Sequence, residues 1–344
     1  MALWTKLFSS KKAEDKPLPS HAAPSSQKAP APQIRVVFMG TPPFAADILM
    51  TLIEDGYHIV GVVTKPDKPS GRKGEVTVSA VKKLALEHSL TLLQPEKLDD
   101  AAYDALKALD PDIFIVAAYG KIIPKRFLEL PGFGAVNTHA SLLPLYRGSS
   151  PIHNALLDGK EETGITLMQM DSGMDTGAII TQRTVKIQPD EMLEQLTAKL
   201  TILAKKMLSE DLPLYVKHKL PLTPQPEGAT LCQLIERSDG QIIWSNTGET
   251  IYNQYRALTP WPGLYTFWPR KNEQPRLKIH AIKYLKDIEP SSTHGMVLQH
   301  EDHVVVQAEQ GVIILEEVQL EGRNRMPISE FIKGNPDFIG SILK

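Results

Sequence analysis

The sequence contains a single cysteine, Cys232, among 344 residues. One thiol can form neither an intrachain disulfide nor a cysteine-based zinc or iron–sulfur site, and scarce cysteine is typical of reducing compartments. The chain also lacks an apolar run of the roughly 18 residues that a membrane span needs, so we expect a soluble protein without stable membrane association. No charge excess exists either: 38 Lys and Arg face 40 Asp and Glu. This balance argues against general polyanion binding but permits a local basic patch.

Motifs of several common enzyme classes are absent too. The first predicted strand ends in the turn Gly40-Thr41-Pro42-Pro43, which has one glycine where a dinucleotide-binding fingerprint needs several. We find no G-x-x-x-x-G-K-[ST], H-E-x-x-H or G-x-S-x-G pattern. These absences argue against an NAD-dependent dehydrogenase, a P-loop kinase, a zinc protease and a serine esterase.

The pattern along the chain predicts about two domains, as the length suggests at roughly 150 residues per domain. Residues 1–33 are rich in Pro, Ser, Ala and Lys and predict a disordered extension, with a short amphipathic anchor or targeting segment as the alternative. Residues 34–216 alternate apolar runs with helical periodicity, which favours βα units around a parallel sheet. Residues 217–229 form a Pro-rich linker. Residues 230–344 carry short runs at close spacing, typical of a small β-barrel.

Individual strands and helices follow from the same periodicities. In the second domain the expected strands are Leu264–Phe267, Leu277–Ile282, Gly295–Gln299, Val304–Ala308 and Val312–Val318. The first domain is expected to close with strands at Ile165–Met170 and Ala178–Ile187 and a helix near Glu191–Leu208.

A candidate catalytic segment runs from Ala135 to Gly148, at the carboxyl end of a predicted parallel strand, where ligands of open α/β sheets bind. Because strand side chains alternate, Asn137 and His139 are expected to point to the same side. An amide donor beside an imidazole suits acyl transfer to an amine, with the amide on the developing oxyanion and the imidazole assisting proton removal. For such a short pattern alone, an asparagine capping a turn and a structurally satisfied histidine are the commoner explanation.

An acidic, glycine-rich loop, Met168–Gly177, follows another predicted strand. Its functional interpretation is a carboxylate that orients the ring of His139 and stabilises the imidazolium. Its simpler interpretation is a polar turn, which Asp and Gly favour by themselves.

Six segments together resemble the methionyl-tRNA formyltransferase family of folate-dependent enzymes, in that family's order from about residue 34 to the end. They are Phe38–Ala45, Thr64–Arg72, Ala118–Pro124, Asn137–Pro144, Met168–Gly177 and Arg256–Gly263. The resemblance implies an α/β fold in which a Rossmann-like parallel-sheet domain precedes a smaller OB-like, tRNA-binding β-barrel domain. It implies transfer of a formyl group from 10-formyltetrahydrofolate, without a metal, to the amine of initiator methionyl-tRNA. We expect a monomer in the bacterial cytoplasm, with an organelle as the alternative location.

Matched position by position, the resemblance also implies site residues. Its catalytic set is Asn137, His139 and Asp175, in which the amide and the protonated imidazole stabilise the tetrahedral oxyanion and the carboxylate supports the imidazole and proton transfer. The positions that would bind the folate are Ser141, Leu142, Leu143 and Pro144, with Ala118, Tyr119, Gly120 and Ile123 at the pteridine pocket. The positions that would contact the acceptor stem of the tRNA are Arg72, Lys73 and Lys68.

Charge alone leaves the tRNA contacts open, because a solvated loop explains the Lys65–Glu75 segment equally well. In the second domain a tRNA-binding surface would have to come from clustered basic residues, because the net charge there is not positive. The candidates are Arg237, Arg256, Arg270, Lys271, Arg276, Lys278, Arg323 and Arg325.

Two alternative functions remain at this stage. One is a sibling folate-dependent formyltransferase, or a formyltetrahydrofolate hydrolase, acting on a small molecule. The other is a non-catalytic RNA-binding protein that uses the barrel alone. The Lys65–Lys73 loop combined with a whole second domain favours tRNA over a small acceptor, and the intact Asn137, His139 and Asp175 argue against a protein without catalysis.

Overall fold

The structure, a computed structural model, describes residues 33–70, 75–271, 273–286, 288 and 293–344. The expectation of a disordered extension over residues 1–33 therefore lies outside the described residues except at Gln33, and so do Arg72 and Lys73. No helix among the described ranges is both long enough and apolar enough to cross a membrane.

The elements of the first part of the chain surround one large sheet. In chain order they are β1 (Arg35–Gly40), α1 (Pro43–Glu54), β2 (His58–Val63), β3 (Lys68–Ser70), β4 (Glu75–Thr77), α2 (Ala80–Glu87), β5 (Leu92–Leu93), α3 (Asp100–Ala108), β6 (Ile113–Ala117), α4 (Lys125–Leu128), β7 (Ala135–His139), β8 (Arg147–Gly148), α5 (Pro151–Leu157), β9 (Glu162–Gln169), β10 (Ile179–Lys186) and α6 (Leu193–Val216).

The remaining elements belong mostly to a second sheet. They are β11 (Leu231–Cys232), α7 (Gly248–Leu258), β12 (Leu264–Phe267), β13 (Arg276–Leu285), β14 (Val297–His300), β15 (His303–Gln307), β16 (Val312–Leu320), β17 (Met326–Pro327) and α8 (Ile328–Gly334), with 3-10 helices at Arg237–Gly240 and Pro336–Phe338.

Within the described residues the first sheet has the strand order β10-β9-β7-β6-β1-β2-β5. The strands from β7 to β5 in that order pair in parallel, as the alternating pattern predicted. Two further strands extend this parallel part of the sheet with antiparallel pairs, β9 on β7 and β10 on β9. The direction of β10 relative to β9 follows from their connection over residues 170–178, which contains no helix, because parallel neighbours need a longer crossover that is usually helical.

Both faces of the sheet are covered, which explains why β1 reads as a continuous apolar run. Val36 and Phe38 face a core that includes α1 and α6, whereas Val37 and Met39 face a second core with Leu106 of α3. Helix α6 continues beyond the predicted end at Leu208 and includes Pro213. Buried side chains in its last turns, Leu212, Tyr215 and Val216, hold it against the first core.

The second sheet is antiparallel and has the order β12-β13-β16-β15-β14, with β17 on β16. Its two outer strands are joined by the segment 341–344. Phe267 of β12 and Lys344 exchange backbone hydrogen bonds of 2.8 and 2.9 Å, while Val297 of β14 donates to the Ser341 carbonyl at 2.9 Å. This closes the ring of hydrogen bonds that the barrel prediction requires. The interior contains Trp268, whose ring makes edge contacts with Phe331 and Phe338 at 5.8 and 5.1 Å.

Candidate active site

Strand β7, which lies between β9 and β6, brings the two main candidate residues to one side of the first sheet. It pairs with β6 through Val116 opposite Asn137, and with β9 through Thr166 opposite His139. Both candidates are buried, with 9% and 5% of their surfaces exposed. They converge on the carboxylate of Asp175, so the alternation of side chains along the strand places them as the pattern predicts.

Asp175 receives two hydrogen bonds on its carboxylate. The amide Nδ2 of Asn137 donates to Oδ1 at 3.3 Å, and the backbone N–H of Gly148 donates to Oδ2 at 2.9 Å. The same Oδ2 lies 3.6 Å from Nδ1 of His139. Asp175 has a φ of 53°, in the left-handed region that Asp tolerates better than most residues. One carboxylate therefore joins the two candidate side chains of β7.

The ring of His139 has a defined partner on its other nitrogen. Nε2 lies 3.0 Å from the carbonyl oxygen of Tyr146. A carbonyl only accepts hydrogen bonds, so Nε2 carries the proton in this contact. Nδ1 then faces Asp175, and a proton on it would complete an imidazolium–carboxylate ion pair. The nitrogen able to exchange a proton is thus the one beside the carboxylate.

The loop between β9 and β10 runs back alongside β7 to deliver Asp175. It starts where Met170 donates to the Ala135 carbonyl at 2.7 Å, and Asp175 reaches Gly148 beyond the far end of the strand. Asp171 stiffens the loop by accepting from Gly173 N and Thr176 Oγ1 at 3.0 and 2.6 Å. The loop is therefore an ordered support and not merely a polar turn.

The implied folate segment 141–144 is mostly internal. Ser141 is fully buried and donates to the Leu145 carbonyl at 2.6 Å, so its hydroxyl shapes the turn. Leu143 is also buried, and its backbone N–H donates to Thr166 Oγ1 at 3.2 Å. Pro144 is buried as well, whereas Leu142 is half-buried. Only Leu142 of this segment presents a partly open side chain.

The implied pteridine loop follows β6, the strand next to β7. Tyr119 and Ile123 are buried anchors, and burial raises the pKa of the Tyr119 hydroxyl to about 12. Ala118 and Gly120 are exposed and have φ values of 44° and 71°. Between the anchors the loop thus offers exposed backbone and the side chain of Ile122, of which 90% is exposed.

Of the implied acceptor-stem contacts, only Lys68 lies within the described residues. It is exposed and begins β3, which pairs with β4. The base of this hairpin is anchored by an ion pair between Lys82 and Asp67, which together with a Gln94 hydrogen bond lowers the pKa of the Asp67 carboxyl. Nearby, burial and the charges of Lys121 and Lys68 lower the pKa of the Lys65 ammonium. The hairpin therefore begins beside a group of lysine side chains, Lys65, Lys68 and Lys121.

The basic residues of the second sheet divide into exposed and buried groups. Arg276 is exposed, and its guanidinium lies 4.5 Å from the ring centre of Tyr265, with Lys278 exposed on the same strand. Arg256, by contrast, is 4% exposed and donates to Asn253 Oδ1 and the Glu191 carbonyl at 2.5 and 3.3 Å. Grouping Arg256 with tRNA contacts was therefore wrong, because its charge is engaged inside the fold.

Sequence reasoning missed Gln225, which contacts the loop that carries Asp175 directly. Its Nε2 donates to the carbonyl oxygens of Asp175 and Gly177, both at 2.8 Å. Arg147 donates to its Oε1 from Nε and Nη2 at 3.1 and 2.7 Å. The available signal was a lone amide between Pro224 and Pro226, in a segment interpreted only as a spacer.

Family models match most of the chain. Residues 34–212 match the formyl transferase model and residues 234–336 match the model of the formyl transferase C-terminal domain. A methionyl-tRNA formyltransferase from Caldicellulosiruptor saccharolyticus is 42% identical over 313 residues, which cover 90% of this chain and 99% of that protein.

Solved structures share the fold. An N-formyltransferase from Helicobacter canadensis, crystallised with folinic acid and dTDP-3-aminofucose, matches with a TM-score of 0.60 at 20% identity, over 82% of this chain and 99% of that chain. A methionyl-tRNA formyltransferase from Clostridium thermocellum matches with a TM-score of 0.50 at 18% identity, over the same 82% and 99%. At these identities the likeness concerns the fold alone.

Proposed function

The chain belongs to the formyl transferase family, and on this premise we propose that it transfers the formyl group of 10-formyltetrahydrofolate to the amine of initiator methionyl-tRNA. The observation that carries the proposal is the convergence of Asn137 and His139 on Asp175. The relative that matches along 99% of its own length, a methionyl-tRNA formyltransferase, supports the choice of acceptor. Because all three residues come from one chain, a monomer suffices, and the bacterial relative supports a bacterial cytoplasmic location.

The loop after β6 fits a folate. A flat pterin ring needs an apolar wall and a few backbone donors and acceptors. Ala118 and Gly120 expose their backbone, Ile122 exposes an apolar side chain, and the buried Tyr119 fixes the loop from below. When bound, 10-formyltetrahydrofolate would supply an activated formyl group. The same edge of the sheet holds Asn137, since that residue is paired with Val116 of β6.

We assign complementary tasks to the three side chains. One N–H of the Asn137 amide is directed at Asp175, and its second N–H is the donor for the formyl oxygen as negative charge develops there. The acceptor amine loses a proton as its bond to the formyl carbon forms, and the nitrogen that leaves gains one. The Nδ1 of His139, beside Asp175, is placed to hold that proton, with the carboxylate stabilising the imidazolium.

Exposed cations support a tRNA as the acceptor. Lys68 lies on the separate two-stranded β3–β4 hairpin, and Arg276 and Lys278 are exposed on β13 of the second sheet. Among the described residues none of the three side chains has a carboxylate within ion-pair distance. Arg276 also stacks on Tyr265, an arrangement suited to phosphate and base contacts.

The test is transfer of labelled formyl from 10-formyltetrahydrofolate to methionylated initiator tRNA. We expect product with the wild-type protein and a loss of at least about 100-fold in kcat for His139→Ala, because proton transfer by a positioned group contributes on that order. His303→Ala, at an exposed histidine of β15, is the matched control and should retain activity. Formate release, or transfer only to an amino sugar, would show that tRNA is not the acceptor. The use of 10-formyltetrahydrofolate as formyl donor would still stand. Full activity of His139→Ala would contradict the catalytic assignment.

A further inference from the structure

The segment that connects the two sheets lies directly against the candidate catalytic residues. Between residues 221 and 230, Gln225 is half-buried whereas its neighbours are exposed. Its amide bridges two carbonyls of the loop that carries Asp175, and its own oxygen is held by Arg147. The hydrogen-bonding groups of this side chain are thus committed to residues around the site.

A second anchor follows a few residues later. The backbone N–H of Tyr146 donates to Thr230 Oγ1 at 2.8 Å, and that of Arg147 donates to the Thr230 carbonyl at 2.9 Å. Strand β11 then pairs in parallel with β8, with Cys232 opposite Gly148. The carbonyl of Tyr146 is the partner of His139 Nε2, and the N–H of Gly148 is a donor to Asp175. Both polar neighbours of the His139 ring are therefore tied to the same connecting segment.

The backbone around these contacts needs external support. Asp175 and Tyr146 have φ values of 53° and 58°, a region that costs free energy for residues other than glycine. Such conformations persist only where surrounding contacts hold them. For Asp175 the bonds from Gln225 to its own carbonyl and to that of Gly177 brace the backbone on both sides of Thr176.

We propose that Gln225 is a positioning residue that holds the carboxylate of Asp175 against His139, so that the connecting segment between the two sheets is part of the catalytic apparatus. The inference rests on the proposed formyl transfer for its kinetic readout and on loop order for its structural one. A segment docked in this way makes catalytic geometry depend on how the second sheet is attached to the first.

Two variants separate the bonds that Gln225 makes. Gln225→Ala removes all of them. Gln225→Glu keeps an oxygen for Arg147 but places a second oxygen, with no N–H, opposite the carbonyls of Asp175 and Gly177. Glu227→Gln, two residues along the same segment at an exposed position, is the matched control.

Kinetics give the first readout. We expect kcat to fall about 10- to 100-fold in both Gln225 variants, while KM for the folate and for the charged tRNA changes less than about threefold, because a misplaced catalytic group impairs chemistry more than binding. Glu227→Gln should match the wild type. In an Asp175→Ala background, Gln225→Ala should cause no further loss of kcat, because Gln225 acts through Asp175.

Amide hydrogen exchange gives a readout that needs no substrate. Exchange over residues 171–177 should accelerate at least about tenfold in Gln225→Ala and stay unchanged in Glu227→Gln, with the rest of the first sheet as the internal reference. Wild-type rates and unchanged exchange in both Gln225 variants would overturn the inference. If the wild-type protein formylates no tRNA but the loop still loosens in Gln225→Ala, the proposed acceptor fails and the positioning role survives.

Discussion

At the residue scale, Gly177 shows how closely the support of Asp175 is packed. A β-carbon at this position would overlap the carbonyl oxygen of Gln169, in the strand that precedes the loop. We predict that Gly177→Ala displaces the loop, lowers kcat at least about tenfold and reduces the free energy of unfolding by roughly 1–3 kcal/mol. Steady-state kinetics and urea unfolding check both effects.

The matched control for that substitution is Gly334→Ala. An added β-carbon there meets no heavy atom within 4 Å, and the residue is the last of helix α8. Its unfolding free energy should stay constant or rise by less than about 1 kcal/mol. A fully active Gly177→Ala protein would mean that the loop can adjust without moving the carboxylate.

The single thiol, Cys232, is predicted to react slowly in the folded protein. It is 5% exposed, and burial raises the pKa of its thiol because the thiolate would lose hydration. At any given pH the thiolate fraction is then smaller than in an unfolded chain, so the alkylation rate should rise only at a higher pH. Iodoacetamide labelling between about pH 7 and pH 10, in buffer and in urea, measures this. Equal rates in both solvents would contradict it.

Periodicity alone predicted the part of the candidate site whose geometry is local, whereas Asp175 was identified through the resemblance to a family. Asn137 and His139 share a side because they are two residues apart on a strand, and periodicity alone establishes that. The bonds from Gln225 to Asp175 join residues 50 positions apart, and no local pattern encodes such a contact. For Ser141 the resemblance implies a folate contact, and the structure adds that its hydroxyl donates to the Leu145 carbonyl within the same turn.

At the scale of secondary structure, the segment 341–344 determines whether the second sheet is closed. Leu343 is 2% exposed and bonds to Gly295 through its backbone, whereas the adjacent Ile342 is 41% exposed. We predict that Leu343→Ala lowers the free energy of unfolding by about 2–5 kcal/mol, the usual cost of a core cavity. Ile342→Ala should cost less than about 1 kcal/mol. Urea unfolding compares the two, and equal losses would argue against a closed sheet.

Several strand positions were predictable, whereas strand directions were predictable only for the parallel part of the first sheet. The expected strands Leu264–Phe267 and Val312–Val318 correspond to β12 and β16, because apolar alternation is a property of consecutive residues. Strand β9 pairs antiparallel with β7 although helix α5 lies between the two in the chain, so the local alternation of strand and helix did not reveal its direction. The full length of α6 was not predictable either, because the side chains that hold its last turns past Leu208 are buried against distant parts of the chain.

At the scale of the whole molecule, the position of a basic residue matters more than its count. With 38 basic and 40 acidic side chains, overall charge provides no attraction for RNA. Arg256 contributes to the internal structure, where burial lowers the pKa of its guanidinium. Lys68, Arg276 and Lys278 are exposed, so we expect them to supply electrostatic contacts on the β3–β4 hairpin and on the second sheet.

Salt dependence of tRNA affinity distinguishes these two groups. Removing one cation that binds a phosphate should make the slope of log K against log salt shallower by about 0.7–0.9, because fewer counterions are released. We therefore predict such a reduction for Lys68→Ala and for Lys278→Ala, measured by filter binding at several salt concentrations. Arg256→Ala should leave the slope unchanged and instead lower the free energy of unfolding by about 1–3 kcal/mol, because Asn253 and the Glu191 carbonyl are left without their donor. A shallower slope for Arg256→Ala, or an unchanged one for Lys278→Ala, would mean that the RNA follows a different surface from the one formed by the exposed cations.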